Sequence, residues 1–359
     1  MARVHNFGAG PAALPLPVLE EVRDGLLDWN GTGMSVLETS HRSKPFDACI
    51  KSAEAGLRKL LGISDDYAVL FLQGGASLQF AMLPMNMLNG GVADYVDTGS
   101  WSSKAIKEAK FFGTANVPFS GKDENYVRIP RPEDLSFTDD AVYTHITSNN
   151  TIAGTQYASF PKSGAPLCAD MSSDILSRPL NVDDFGCIYA GAQKNVGPSG
   201  LAIVILRKDL AERVADTVPT WLRYTTHIEK DSLFHTPPTL PVLFVDLVCK
   251  WIDGQGGLAA MKQRNTEKAD ALYGCIEQHG AFYRCPVEKE SRSVMNVVFR
   301  LPSEELEARF VSEAADAGMV GLKGHRSVGG IRASIYNATG LDAVQALVGF
   351  MTDFAAKNG

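Results

Sequence analysis

Lys194 stands in YAGAQKNVGPSGLAIVIL, where an apolar run enters a turn of small residues and Gly197, Pro198 and Gly200 follow. A lysine that captures a carbonyl as a Schiff base needs a long reach from a fixed loop, close backbone approach by a flat cofactor, and a pKa lowered by desolvation or nearby cations. The small residues supply that access. Alone, the same lysine reads more readily as a solvated loop residue. Asp170 lies upstream at the end of the apolar run in PLCADMSSDILS. A carboxylate there can reach into the same crevice and pair with a protonated ring nitrogen, which makes the ring an electron sink. Its plain alternative is a helix N-cap or a solvated strand end.

The run YAVLFLQ is followed by Gly74-Gly75-Ala76-Ser77 and then by the helical pattern LQFAMLPMNML. Free N–H groups at a helix N-terminus form a phosphate cradle. The same strand–turn–helix also arises for purely structural reasons, and no G-K-[ST] follows to make it a nucleotide loop. Trp101 can stack on a flat ring from the side opposite the lysine, and Thr151 can hydrogen-bond a phenolic oxygen; ordinary loop packing explains either as well. His41-Arg42 and the group His325, Arg326 and Arg332 concentrate cationic or titratable donors in two short segments of a chain with net charge -7. Planar guanidinium groups suit bidentate grips on carboxylate and phosphate. Gly-flanked loops also carry such residues as solvated charges.

These residues need a scaffold. Between about residues 17 and 270, short β-type runs alternate with amphipathic stretches, the pattern of a parallel sheet covered by helices. The strand candidates are 67–73, 92–98, 141–147, 166–171, 186–192 and 201–207. In open parallel sheets ligands bind beyond the carboxyl ends of the strands, so the polar tips of these runs are the place to look. After about residue 267 the strands 293–302 and 330–336, separated by an acidic helix, read as a smaller α+β domain. The expected division is a large α/β domain over 16–266, and a small one from 1–15 with 267–359. The segment Gly8 to Ala13 matches a loose G-x-G-x-x-A, but a helical pattern rather than a βαβ unit follows it, which excludes dinucleotide binding.

Composition narrows the class. At 45% hydrophobic and 21% charged residues the chain is neither disordered nor fibrous. Its acidic balance disfavours nucleic acid and anionic membranes as partners. The six cysteines are scattered without a C-x-x-C pair, which fits reduced thiols and a cytoplasmic setting. The N-terminus lacks the basic and apolar stretches of a signal peptide, and no apolar run reaches the ~20 residues of a membrane span.

With Lys194, Asp170, Trp101 and the Gly74-Gly75 turn in line, the chain resembles the phosphoserine aminotransferases, fold-type I pyridoxal-phosphate enzymes with a mostly parallel sheet covered by helices on both faces. The resemblance runs over nearly the whole length. NFGAGPAALP, SVLETSHRSKPF, QGGASLQFAMLPMN, GSWSSKA, SNNTIAGTQY, ADMSSDILSRP, YAGAQKNVGPSG, HTPPT and GHRSVGGIRASIYNA carry it. It implies that Lys194 binds pyridoxal 5'-phosphate covalently, Asp170 pairs with the ring nitrogen, Trp101 stacks on the ring and Thr151 contacts the 3-oxygen. Phosphate binding maps to Ala76, Ser77 and Gln193, with His235 and Thr236 supplied by the second subunit of a homodimer. Arg332 would hold the substrate α-carboxylate, and His41, Arg42, His325 and Arg326 the phosphate of phosphoserine or the side-chain carboxylate of glutamate.

The implied reaction is reversible ping-pong transfer of the amino group from L-glutamate to 3-phosphohydroxypyruvate, giving O-phospho-L-serine and 2-oxoglutarate in L-serine biosynthesis. The resemblance also suggests formation of 4-phosphohydroxy-L-threonine on the route to vitamin B6. Two departures stand out. The phosphate turn reads Gly-Gly-Ala-Ser where some members have Gly-Gly-Arg or a third glycine, and His235 stands where Asn is common. Rival readings are another fold-type I enzyme, such as a cysteine desulfurase or an alanine–glyoxylate type aminotransferase, and a non-catalytic descendant. Neither Cys275 nor Cys285 has the setting of a mobile desulfurase nucleophile, and the presence of Lys194 and Asp170 argues against a descendant without catalysis.

Overall fold

A computed structural model describes residues 3–359. Its strands, in chain order, are β1 (His5–Asn6), β2 (Tyr67–Gln73), β3 (Val92–Asp97), β4 (Thr114–Ser120), β5 (Thr144–Thr147), β6 (Asn149–Asn150) and β7 (Thr155–Gln156). They continue with β8 (Leu167–Asp170), β9 (Cys187–Gly191), β10 (Leu201–Arg207), β11 (Asn296–Phe299), β12 (Met319–Val320) and β13 (Ile331–Ser334). The helices are α1 (Leu16–Asp24), α2 (Lys44–Leu61), α3 (Gly75–Met87), α4 (Ser100–Ala109), α5 (Lys208–Ala211) and α6 (Tyr224–Ile228). The remaining four are α7 (Thr239–Gly254), α8 (Gly257–Gln278), α9 (Glu304–Asp316) and α10 (Leu341–Asn358).

Seven strands form the central sheet in the order β2-β10-β9-β8-β5-β3-β4. All neighbours are parallel except β10, which runs antiparallel to both β2 and β9. Because β10 is the single reversed strand, β2, β9, β8, β5, β3 and β4 all present their carboxyl ends at one edge. Side chains alternate across the pleat. Thus β2 sends Val69 and Phe71 into a core shared with α2 and α7, and Ala68, Leu70 and Leu72 into a second core under α3 and α4. Helix α2 shows how sequence builds the first of these layers. Phe46, Cys49, Ile50, Ala53, Leu57 and Leu61 recur at helical spacing on its buried face. The Ser43 side chain caps its start by accepting from Phe46 N, and Gly62, in the left-handed region, ends it.

A third core joins Phe7 to Leu272, Ile276, Val297, Phe299, Phe310, Ile331, Leu347 and Phe354. There β11 pairs antiparallel with β13, and the N-terminal β1 pairs parallel with β12. No helix among the described residues is long and apolar enough to cross a membrane.

Each strand candidate of the sequence contains a strand. Strand β4 was not expected: TANVPFS has no continuous apolar run, because it is a half-exposed edge strand that tolerates Pro118. The reversal of β10 was not expected either, since a strand buried on both faces has the same apolar composition whichever way it runs.

Candidate active site

The carboxyl-end edge of the sheet opens into a cleft of about 680 Å³ whose walls include Gly74, Gly75, Ala76, Ser77, Trp101, Thr151, Asp170, Gln193, Lys194, His325 and Arg332. They arrive from several different strand ends. Strand β2 leads into the α3 turn, β3 into Trp101 in the first turn of α4, and β8 ends on Asp170. Lys194 follows β9, and Thr151 lies in the hairpin turn between β6 and β7.

Asp170 is buried and held from within its own loop. Its Oδ1 accepts from Ser172 N at 2.9 Å and from Ser172 Oγ at 2.6 Å. The same Ser172 Oγ accepts from Gly191 N at 3.0 Å, which ties the Asp170 strand to the Lys194 strand. Ser172 also lines the cleft. Behind it, burial pushes the Asp174 carboxyl above the usual carboxylate range, opposed by Arg178 and by hydrogen bonds from Ser148 and Gln156.

The Lys194 ammonium donates to Thr151 Oγ1 at 2.8 Å and lies 5.3 Å from the centre of the Trp101 ring. Burial lowers its pKa; Asp170 opposes that shift and Arg332 adds to it. The turn is anchored by the next residue. Asn195 donates to Ile175 O at 2.6 Å and accepts from Asn337 N at 3.0 Å, so the C-terminal part of the chain holds the lysine's backbone. Arg332, on β13, donates to Thr151 O at 3.4 Å, and its buried Nε has no partner among the described residues. Burial lowers the Arg332 pKa.

At the first turn of α3 the leading N–H groups have no intrahelical acceptor and point outward, as at any helix start. A Cβ placed on Gly191 would fall 2.7 Å from Gln193 Oε1 and 3.4 Å from Ala76 N. Only a bare residue at the end of β9 leaves room for the Gln193 side-chain amide beside Ala76 N, where its Nε2 and the Ala76 N–H are the donors an anion would accept from. The cleft therefore offers a captured amine, a buried carboxylate, an aromatic wall and a cradle for a phosphate. That donor set fits pyridoxal 5'-phosphate.

Five residues singled out by the sequence do not line this cleft: His41, Arg42, His235, Thr236 and Arg326. Arg326 lies on the outer side of the loop that carries His325. Thr236 sits at the end of β2, where Gln73 Nε2 donates to its carbonyl at 3.1 Å. His235 Nδ1 accepts from Trp221 Nε1 at 3.3 Å, and burial, together with the charge of His41 nearby, lowers its pKa. The Nε2 atoms of His41 and His235 are both buried without a partner among the described residues. Trp221 and Phe234 are exposed beside them.

Sequence reasoning missed Ser172, Phe80, Ile152, Ser199 and the N-terminal Ala9, Gly10 and Pro11, all on the cleft wall, whereas Gly200, read as opening access beside Lys194, is there. The Asp-x-Ser spacing was a signal for Ser172, since Asp side chains bond backbone two residues on. For Ala9 to Pro11 there was none. That segment is held by contacts distant in sequence, Ala12 N to Gln193 O at 2.9 Å and Tyr336 OH to Ala9 O at 2.8 Å.

The family model for class-V aminotransferases matches residues 4–347. A phosphoserine aminotransferase of Geobacillus kaustophilus is 55% identical, with 99% of each chain covered. One of Bacillus subtilis is 51% identical over the full length of both chains. Among solved structures, phosphoserine aminotransferase from Bacillus circulans subsp. alkalophilus superposes with a TM-score of 0.97 at 51% identity and 99% coverage of both chains. A pyridoxal-phosphate-bound phosphoserine aminotransferase from Trichomonas vaginalis gives 0.94 at 39% identity, covering 98% of this chain and 100% of that one.

Proposed function

Because the chain belongs to the phosphoserine aminotransferases of aminotransferase class V, we propose that it transfers the amino group of L-glutamate to 3-phosphohydroxypyruvate, in L-serine biosynthesis, with pyridoxal 5'-phosphate as cofactor. The observation that carries this reading is the convergence of Lys194, Asp170 and the first turn of α3 in one cleft. When bound, the cofactor supplies an electron-withdrawing ring that accepts the electron pair released at the substrate Cα.

The residues divide the work. Lys194 would hold the cofactor through its Nζ, and that amine would be the base for the substrate Cα proton, since the neutral form that burial favours is the one able to accept it. Asp170 keeps a proton on the ring nitrogen, and Ser172 holds the carboxylate in the orientation that this requires. Thr151 donates to the ring's 3-oxygen once Lys194 no longer occupies it. Trp101 covers one ring face and excludes water. Ala76, Ser77 and Gln193 receive the cofactor phosphate.

Arg332 grips the substrate α-carboxylate, its half-buried guanidinium already oriented by Thr151 O. His325 and Arg326, with His41 and Arg42, receive the distal phosphate or carboxylate. Because His41, Arg42, His235 and Thr236 lie outside the cleft of their own chain, we assign them to a site shared across a homodimer. There His235 of the partner subunit and Thr236 of the partner subunit complete the phosphate cup. The unpartnered His41 and His235 nitrogens and the exposed Trp221 and Phe234 support that interface. A large domain over 16–266 and a small one from 1–15 with 267–359 fit the separate third core. The six cysteines are all free, five of them buried, which supports a cytoplasmic protein.

The test is the visible spectrum of the holoenzyme and of Lys194→Ala, before and after O-phospho-L-serine and, separately, L-glutamate. Both amino acids should bleach the cofactor band of the wild type, and the variant should not turn over. A chromophore that responds to glutamate but not to phosphoserine would keep the cofactor site and overturn the substrate.

A further inference from the structure

Glu307 of α9 is only 7% exposed, yet lines no part of the Lys194 cleft. Its Oε1 accepts from Arg300 Nε at 2.7 Å and from Leu301 N at 3.3 Å, and its Oε2 accepts from Gly330 N at 3.1 Å. Arg300, which follows β11, turns its other arm to the same loop and donates from Nη1 to Val328 O at 2.6 Å. The ion pair thus holds the 324–330 loop at two backbone points, Val328 and Gly330. Among the described residues the other ties within the loop are short-range: Val328 N and Gly329 N donate to His325 O, Gly324 N donates to Gly330 O, Ser327 N donates to His325 Nδ1 at 3.2 Å, and His325 Nδ1 meets Ser327 Oγ at 2.7 Å. Without the pair, the loop would be fixed only at its ends.

With Glu307 buried but the Arg300 side chain 31% exposed, the ion pair is weak as a source of stability, because desolvation of the carboxylate and solvent screening of the guanidinium cancel much of the attraction. Its value is geometric, since a carboxylate with three donors accepts only one arrangement of them. The loop it shapes carries His325 into the cleft and Arg326 on its outer side. Arg332 has independent support: β13 pairs with β11 in register, Arg332 opposite Val298, and Arg332 N donates to Leu322 O at 2.8 Å.

We propose that Arg300 and Glu307 are positioning residues for the distal-anion end of the substrate site. They hold the His325–Arg326 loop and leave the α-carboxylate grip at Arg332 and proton transfer at Lys194 unaffected. The proposal rests on the transaminase reading to the extent that the substrate carries a second anionic group, which glutamate has as well as phosphoserine.

Holoenzyme of wild type, Glu307→Gln and Arg300→Lys would be compared in single-turnover reactions with O-phospho-L-serine, L-glutamate and L-alanine, the last lacking a distal anion. In both variants half-saturation by the two dianionic substrates should rise about ten-fold, the scale of one charge-assisted hydrogen bond. The limiting rates should stay within about two-fold and the alanine reaction should be unchanged. Hydrogen exchange over residues 324–330 should quicken, first at the Gly330 amide. An equal loss with all three amino acids would mean a merely structural role, and unchanged half-saturation with unchanged exchange would refute the brace. Arg300→Lys keeps a cation against Glu307 but loses the Val328 contact, so it decides the question if Glu307→Gln does not fold. If wild type fails on phosphoserine alone, the substrate reading falls while the glutamate-to-alanine contrast still tests the brace.

Discussion

Lys194 Nζ donates to Thr151 Oγ1 at 2.8 Å, so the amine and the hydroxyl proposed to contact the cofactor face each other across the cleft.

Cofactor capture by apoprotein should therefore follow the lysine's altered pKa. Burial moves that pKa below the ordinary 10.5, so the neutral, nucleophilic amine is populated at lower pH. The capture rate should rise with pH and level off below pH 10.5. A rate still climbing at pH 10.5 would mean that Lys194 titrates as a solvated lysine.

Asp170→Asn should keep the fold, because an amide oxygen can still accept from Ser172 N and Oγ. It removes the charge facing the ring nitrogen, and the single-turnover rate should drop by roughly 10²- to 10³-fold. Asp170 is also the main group raising the Lys194 pKa. In the variant the capture plateau should shift to lower pH, and a shift to higher pH would contradict the assignment.

Gly154 closes the turn that carries Thr151, with φ +80°, and a Cβ there would lie 2.6 Å from Val298 Cγ2 and 3.2 Å from Asn296 O. Gly154→Ala combines left-handed strain with overpacking against β11. It should lower unfolding free energy by about 2–4 kcal/mol, read by denaturant titration. A change under about 0.5 kcal/mol would show that the turn gives way freely.

Lys268 in α8 is buried, donates to Ile335 O, Tyr336 O and Thr339 O at 2.8, 2.7 and 2.9 Å, and is pushed down to about 7 by burial. In the unfolded chain it titrates near 10.5. Between these values the unfolded state binds more protons, so stability rises with pH. Its contribution is complete above 10.5 and is lost as pH falls through 7. Measured against Lys268→Met, wild type should gain up to about 1.4 kcal/mol per pH unit across this window, less whatever the three carbonyls restore to the ammonium. A difference that shrinks as pH rises would reverse the sign and refute the shift.

The two residues at the chemical centre were legible because each sits where an apolar run stops abruptly at a polar residue, and an open parallel sheet gathers such stops at one edge. Asp170 and Lys194 are brought together by β8 and β9 lying side by side. The cradle was legible for a similar reason, a glycine turn between a strand and a helix. For His235 and Thr236 only the family resemblance pointed outside their own chain's cleft; for His41 and Arg42 nothing did, because their placement follows from tertiary packing. The Arg300–Glu307 brace was invisible too, since its donors come from Arg300, Leu301 and Gly330, which only the folding of α9 against β11 and the loop brings together.

The reversed strand β10 has a consequence for how the protein matures. Because Lys194 lies in the connection between β9 and β10, its backbone is complete only when β10 has paired with β2, whose residues precede it by more than a hundred positions. Contacts so distant in sequence form late, since the chain entropy of closing the loop must be overcome before they contribute. If the amine is presented only after β10 has joined β2, the cofactor band should appear during refolding no earlier than the far-ultraviolet signal of the completed sheet. A nascent chain with only its first strands in place would have the α3 turn, but neither Gln193 to close the phosphate cradle nor Lys194 to hold the aldehyde.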